Sequence, residues 1–395
     1  MNPILDWVVV GGGIHGVHVA VRLLSEAGVP RSQLRLVDPA KDLLDSWRRC
    51  TTNTGMQHLR SPAVHHLDVD PWSLLDFAGA NRRGRGGEKG LFAPPYLRPS
   101  VELFSQHCDE VIDRLGLEDL HIQARVESIE VSCEAAEVHL DVGGQPLRTG
   151  HVVLAMGGSA PRWPEDARAL RDGGFMVRHV FEPGFRLKAD DWPERVAVVG
   201  GGISAAQVAM RLADAGKRVH FVARHALRKH QFDSDPGWNG PKNMRRFSAT
   251  PDLSRRRQMI AEARYRGSLP PDVHRDLRWA IREECVTHHQ GHPQLRPEGE
   301  HIAVQLEEKS LTVDGVLLAT GFSERRPGGA MVDQLIQRHD LPCAECGYPV
   351  VDSYLRWHPA IFVTGPLAEL EVGPVSRNII GARKAASRIV EGARA

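Results

Sequence analysis

The chain has 395 residues, 42% of them hydrophobic and 25% charged, which is enough apolar material for two packed units. A formal net charge of +1 argues against the broad cationic face that nucleic acid or an anionic membrane surface requires. No apolar run is long enough to span a bilayer, Met1–Asp6 carries no basic-then-apolar leader, and six scattered cysteines form no disulfide framework. The expectation is a cytoplasmic protein with no nucleic-acid and no membrane partner.

The chain opens on Val8-Val9-Val10-Gly11-Gly12-Gly13-Ile14-His15-Gly16-Val17, which reads as a buried strand, a tight turn and a helix start. Gly11 permits the turn, Gly13 lets the backbone approach a pyrophosphate, and Gly16 lets helix and strand pack closely. The first free N–H groups of the helix, predicted from Val17 to about Ala27, then face the phosphates. The second strand, Leu34–Val37, ends in Asp38, a carboxylate that takes both hydroxyls of an adenosine ribose and repels a 2′-phosphate.

Beyond Asp38 the pattern turns irregular through Trp47, Gln57, Arg60 and Pro62, which predicts a long structured excursion of the kind that carries function. Asn81–Gly90, with its arginines and glycines, reads as a loop with little order of its own. Apolar spacing predicts an amphipathic helix over Val101–Leu115, then alternating strands at Arg125–Val131 and Glu137–Val142. His151–Gly158 is another buried strand that runs out into small residues.

The second half opens as the first did. Arg195–Val199 leads into Gly200-Gly201-Gly202-Ile203-Ser204-Ala205, with Ala205 where the third glycine stood. Its second strand, Arg218–Ala223, ends in Arg224, and a guanidinium in place of a carboxylate suits a 2′-phosphate, so this site should prefer NADPH to NADH. The basic helical region around Arg255-Arg256-Arg257 reads as a solvated face. A meander from about Leu295 ends in Ala319-Thr320-Gly321, the counterpart of Ala155-Met156-Gly157. Ala360–Gly365 is a last strand, and Gly373-Pro374 opens a last helix with Asn378 near its start.

These motifs resemble the two-dinucleotide-binding flavoproteins and, within them, the class B flavin monooxygenases. Trp47, Gly55-Met56-Gln57, Asp70-Pro71-Trp72-Ser73 and the lack of a cysteine pair near the flavin carry that likeness, which is nearest to the lysine/ornithine N-hydroxylase type. The resemblance implies an α/β fold of two Rossmann-like units, an FAD-binding one over 1–185 and 319–395 with the NADPH-binding one, 186–318, inserted in it. It implies that Gly11, Gly13, Gly16, Asp38, Trp47, Val126, Gly365 and Pro374 serve FAD. Gly200, Gly202, Ser204, Ala205, Arg224, Thr320 and Gly321 would serve the dinucleotide sites of the second half. Gln57 and Asn378 take the catalytic positions by the flavin. Where those hydroxylases have a lysine that grips the substrate carboxylate, Arg60 is the candidate, able to bind a carboxylate bidentately.

The implied reaction is NADPH- and O2-dependent oxygenation of a soft nucleophile, foremost an amine nitrogen, through a flavin C4a-hydroperoxide. A small-molecule substrate and O2 are the expected partners, and a homo-oligomer stays open. The alternatives are an NAD(P)H-dependent reductase of the disulfide type, for which Cys343-Ala344-Glu345-Cys346 has redox spacing, and a non-catalytic nucleotide-binding protein of the same fold. The histidine pairs His65-His66 and His288-His289 read as surface residues, and no metal site is expected.

Overall fold

Leu5–Val10 sits at the centre of a parallel sheet because Val8 and Val9 are buried on both faces, leaving no polar alternation. In the computed structural model, which describes residues 4–82, 88–132, 137–157 and 160–394, Leu34–Asp38 pairs with it on one side and Gln145–Leu154 on the other. His121–Gln123 extends this sheet beyond Leu34–Asp38, and Ile361–Val363 extends it beyond Gln145–Leu154, again in parallel. Val126–Val131 and Val138–Val142 add an antiparallel meander. The helix Ile14–Ser25 covers one face together with the last helix, Ile379–Arg394.

The second sheet repeats the plan around Arg195–Val199, flanked in parallel by Arg218–Ala223 and Gly315–Leu318. Val286–Gln290 forms one edge and Val177–His179 the other. That second edge strand comes from before residue 186, so the chain enters this sheet ahead of its central strand. Alternate side chains of the central strand feed two separate cores: Val196 and Val198 pack under the helix Ile203–Asp214, while Ala197 and Val199 pack under the antiparallel strands Gln294–Glu298 and His301–Gln305.

Three expectations are corrected. The stretch after Trp47 is not irregular throughout, for Asp45–Thr54 is a helix closed at Leu44 and Gly55, both in the left-handed region. Its buried face is polar, Arg49, Thr51, Asn53 and Thr54, so no apolar period announces it. The triple arginine does not form a solvated face. Within the helix Leu253–Ala263, Arg256 pairs with Glu371 at 2.9 Å, and Arg257 pairs with Glu369, whose side chain is only 1% exposed. Nor are the histidine pairs surface residues, since His66 is fully buried and His289 is buried in the Val286–Gln290 strand. Within Asn81–Gly90, residues 83–87 lie outside the described residues.

Helices Pro241–Ser248 and Leu253–Ala263 leave the second unit and bring Phe247, Met259 and Ile260 against Tyr348 and Leu370 of the first. At the opposite end of the seam, Asn53 donates to the carbonyls of Val180 and Phe185 and accepts from the Leu187 N–H, all at 2.9 Å. A buried carboxamide with every bond made is costly to disturb. The two units are therefore locked together at both ends.

Candidate functional site

The two glycine turns share one geometry. Gly11 donates to Val37 O at 2.8 Å and Gly200 to Val222 O at 2.9 Å, while Ala155 and Ala319 return bonds to Val10 O and Val199 O. Gly11 and Gly200 have φ of +117° and +153°, and a Cβ on either would stand 2.6 or 2.5 Å from the carbonyl oxygen of Ala155 or Ala319. Only glycine meets both demands. The turns diverge at the third position, where a Cβ on Gly16 would overlap Gly11 O at 1.8 Å, whereas Ala205 is accommodated and fully buried.

Their mouths also differ. A Cβ built on Gly13 meets nothing within 4 Å, so the first turn is an open cradle over the helix start. Around the second, Gly267 comes within 3.6 Å of the corresponding point on Gly202, and the His225 ring lies against Gly201. The segment carrying Gly267 pairs through Ser268–Leu269 with Arg228–Lys229, so the chain beyond Arg224 doubles back beside this turn.

At the paired strand ends the charges are opposite. Asp38 accepts from the Gly12 N–H at 2.7 Å with one oxygen and from the Ala40 N–H at 2.9 Å with the other, leaving further lone pairs for a ligand's hydroxyls. Arg224 is exposed and pairs with no described residue. Ser204 lies partly exposed in the first turn of its helix. Val126, buried, opens its strand two residues beyond Ala124, whose N–H bonds to Asp38 O at 3.1 Å. Trp47 packs its ring 5.0 Å from that of Phe104.

Thr320 and Gly321 serve the crossing between units: the Thr320 hydroxyl donates to Arg162 O, and Gly321 O accepts the Arg162 N–H at 2.8 Å. Gly365, at φ +63°, is one wall of a contact that the fingerprint pattern passes over, because a Cβ there would lie 3.6 Å from the His15 ring. His15 Nδ1 stands 3.0 Å from Thr364 Oγ1, and its Nε2 is buried without a hydrogen bond. Burial lowers its pKa to about 4, the nearby Arg377 backbone opposing, so the ring is neutral at pH 7. His15 occupies a variable place in the glycine motif, which is why the motif does not single it out.

Three stretches distant in the chain, those of Arg60, Gln231–Asp233 and Asn378, meet at the seam. Arg60 donates through Nε to Gln231 O at 2.8 Å and through Nη2 to His230 O and Phe232 O, both at 2.7 Å. Asn378 donates to Asp233 at 3.2 Å, and the Tyr96 ring packs 5.0 Å from that of Phe232. Arg60, expected to grip a substrate carboxylate, spends its guanidinium here on backbone carbonyls. With Nε and Nη2 committed to backbone, neither bidentate edge of the guanidinium is free for a carboxylate. The Gln231 carboxamide, which sequence reasoning did not single out, is buried there with neither atom hydrogen-bonded. Gln57 keeps its side chain exposed and unpaired among the described residues, its backbone oxygen taken by the Val101 N–H at 2.8 Å. Pro374 O accepts from Arg264 at 2.9 Å.

Asp68, His107 and Glu110 lie close enough for a metal, but Arg114 already pairs with both carboxylates and supplies the positive charge. Cys343 and Cys346 occupy a turn closed by Gly347 N–H to Ala344 O, and burial pushes the Cys343 thiol up, away from the reactive thiolate.

A family model for the pyridine nucleotide-disulphide oxidoreductases matches residues 5–235. In fold the chain is similar to the FAD-bound cadaverine monooxygenase of Erwinia amylovora, at 18% identity and a TM-score of 0.76, with 99% of this chain and 95% of that one covered. It is equally similar to the ornithine N-hydroxylase of Kutzneria sp. 744, at 18% identity and a TM-score of 0.76, with 99% of each chain covered. The bacillithiol disulfide reductase of Bacillus cereus, at 15% identity and 100% coverage of both chains, reaches 0.60. No curated protein matches by sequence.

Proposed function

Since the chain belongs to the pyridine nucleotide-disulphide oxidoreductase family, we propose that it is an FAD- and NADPH-dependent monooxygenase that N-hydroxylates an amine. The observation that carries this reading is the contrast of Asp38 and Arg224 at equivalent strand ends of two matching glycine turns. A carboxylate with unspent acceptors suits an unphosphorylated ribose, and an unpaired guanidinium suits a 2′-phosphate.

The residues fit FAD at the first turn: Gly13 leaves the cradle open, Gly11 and Gly16 allow nothing larger, and Asp38 is fixed by two backbone amides. Gly11, Gly13, Gly16, Asp38, Val126, Gly365 and Pro374 would hold it. Gly200, Gly202, Ser204, Ala205 and Arg224 would hold NADPH. When bound, FAD supplies the hydride acceptance and the O2 activation that no side chain can.

The chain's own work is to position and to exclude water. Arg60 ties the Gln231 segment to the first unit, and Asn378 with Asp233 tethers the last helix start to the same segment. Gln57 and Asn378 remain the amides that would face the reacting centre. With Arg60 committed, a substrate carboxylate finds no grip at that position, which favours an amine bound through its nitrogen and apolar body. The small-molecule amine and O2 are the partners of this reading, with the units divided as 1–185 plus 319–395 and 186–318, the edge strand Val177–His179 lent across. Among the described residues no helix is long and apolar enough to cross a membrane. The likeness to the cadaverine and ornithine hydroxylases, 0.76, exceeds that to the disulfide reductase, 0.60, in support of oxygenation over thiol chemistry, while a lysine monooxygenase of Nocardia farcinica with an unusual NADPH-domain conformation stands at 0.58.

The test is direct. Purified protein should be yellow, be bleached by NADPH without oxygen, and convert members of an amine panel to hydroxylamines when oxygen is admitted. NADPH consumption that yields only hydrogen peroxide across the whole panel would overturn the monooxygenase reading.

A further inference from the structure

The helix Pro271–Arg282 borders a cavity of about 930 Å³ on the outer side of the second unit, beside the edge strand Val286–Gln290. Its lining carries Lys229, Arg275, Arg278 and Arg282 and no acidic side chain. Arg275 and Arg282 pair only with their exposed chain neighbours Asp276 and Glu283. Such contacts are easily exchanged for a ligand's. Lys229 and Arg278 pair with no described residue. Trp279, 56% exposed, also lines the cavity and brings an aromatic ring to it.

We propose that this cavity binds a nucleoside polyphosphate, the base stacked on Trp279 and the phosphates spread along Arg275, Arg278 and Lys229. The arginines recur at helical spacing on one face, so Arg275 to Arg282 spans about 10 Å of helix, matching an elongated anion rather than a single phosphate. A π-face beside guanidinium groups is the usual recognition of a base joined to phosphates. The volume falls within the range of small-molecule sites. His274 faces the same charges: burial and then Arg278 and Lys229 lower its pKa.

The aromatic end of this site is separate from the glycine turn, while its Lys229 end lies on the short ladder that runs beside that turn. The helix crosses over between the parallel strands Arg218–Ala223 and Val286–Gln290 and therefore runs against them. Its Trp279–Arg282 end thus lies toward the N-terminal edge of the sheet, whereas Gly200–Gly202 and Arg224 lie at the C-terminal edge. The inference does not depend on the oxygenation chemistry.

The experiment is calorimetric titration of the holoenzyme, saturated with NADP+, with ATP, inorganic tripolyphosphate and adenosine in separate arms. The expected result is ATP binding that Arg278→Glu and Trp279→Ala each weaken at least tenfold, with the KM for NADPH unchanged, and that Arg224→Ala leaves intact. Both replaced side chains are exposed, so folding is not at stake. Absence of ATP binding, or binding lost only in Arg224→Ala, overturns the proposal. Tripolyphosphate binding as tightly as ATP, with Trp279→Ala without effect, would mark an anion patch and overturn the nucleoside component. Loss of oxygenation with ATP binding preserved would count against the proposed reaction alone.

Discussion

Arg60 holds Gln231 across the seam between the two units, Nε 2.8 Å from the carbonyl oxygen, while its Nη2 takes the carbonyls on either side. Arg60→Ala leaves three carbonyls without their donor and should cost about 2–4 kcal/mol of stability. Activity should fall through kcat, with KM unchanged between amines that carry a carboxylate and amines that do not. A KM rise confined to carboxylate-bearing substrates would return Arg60 to a substrate role. Arg60→Lys should rescue little, because one ammonium nitrogen cannot stand at both the Nε and the Nη2 positions from which the carbonyls are bonded.

The two strand ends should be separable. Asp38→Asn turns one acceptor into a donor facing a backbone N–H, which should weaken FAD retention by about 10- to 100-fold, read as the holoprotein fraction after dialysis. Arg224→Ala should raise the KM for NADPH by about 10- to 100-fold and leave NADH nearly unchanged. Equal losses for the two nucleotides would remove the phosphate contact.

Six histidines, His15, His65, His66, His107, His179 and His289, have pKa values lowered chiefly by burial to about 4 or, for His66, about 3. In the unfolded chain they titrate near 6.5. Between those values the unfolded state binds more protons, so their contribution to stability is full above about pH 6.5 and is lost as the pH falls toward 4. Urea midpoints should therefore drop steadily from pH 6.5 to 5, before most carboxylates titrate. A flat profile over that interval would contradict the buried neutral state.

Cys343→Ser with Cys346→Ser should leave NADPH oxidation and product formation unchanged, because the Cys343 thiol is shielded and raised. Loss of activity with the flavin still bound would favour disulfide chemistry.

The glycine turns were legible because a positive φ and a carbonyl 2.5–2.6 Å from any Cβ leave one residue type possible, a local demand written locally. The amphipathic helix Val101–Leu115 has the bounds its apolar period predicts, with Leu103, Phe104, Val111 and Ile112 on the buried face. Asp45–Thr54 was not legible because its buried face satisfies itself with hydrogen bonds, Asn53 among them, instead of apolar contact. Arg256 and Arg257 looked solvated because their partners, Glu371 and Glu369, lie more than a hundred residues along the chain. The contacts of Arg60 are hidden from the sequence for the same reason. Its type announced anion binding, while its actual acceptors are backbone carbonyls that carry no sequence signature.

The Ile361–Val363 strand lies beside Gln145–Leu154 in the first sheet, with the whole second unit between them in the chain. During synthesis the second unit can emerge complete and close on its own cores while the first still lacks its last parallel strand and the helix that covers it. Early folding of the second unit brings the two flanks of the first together and so reduces the entropy lost in joining them. A nascent chain halted before residue 361 should therefore expose the unpaired edge of Val152–Leu154, a template for wrong strands until the C-terminus arrives.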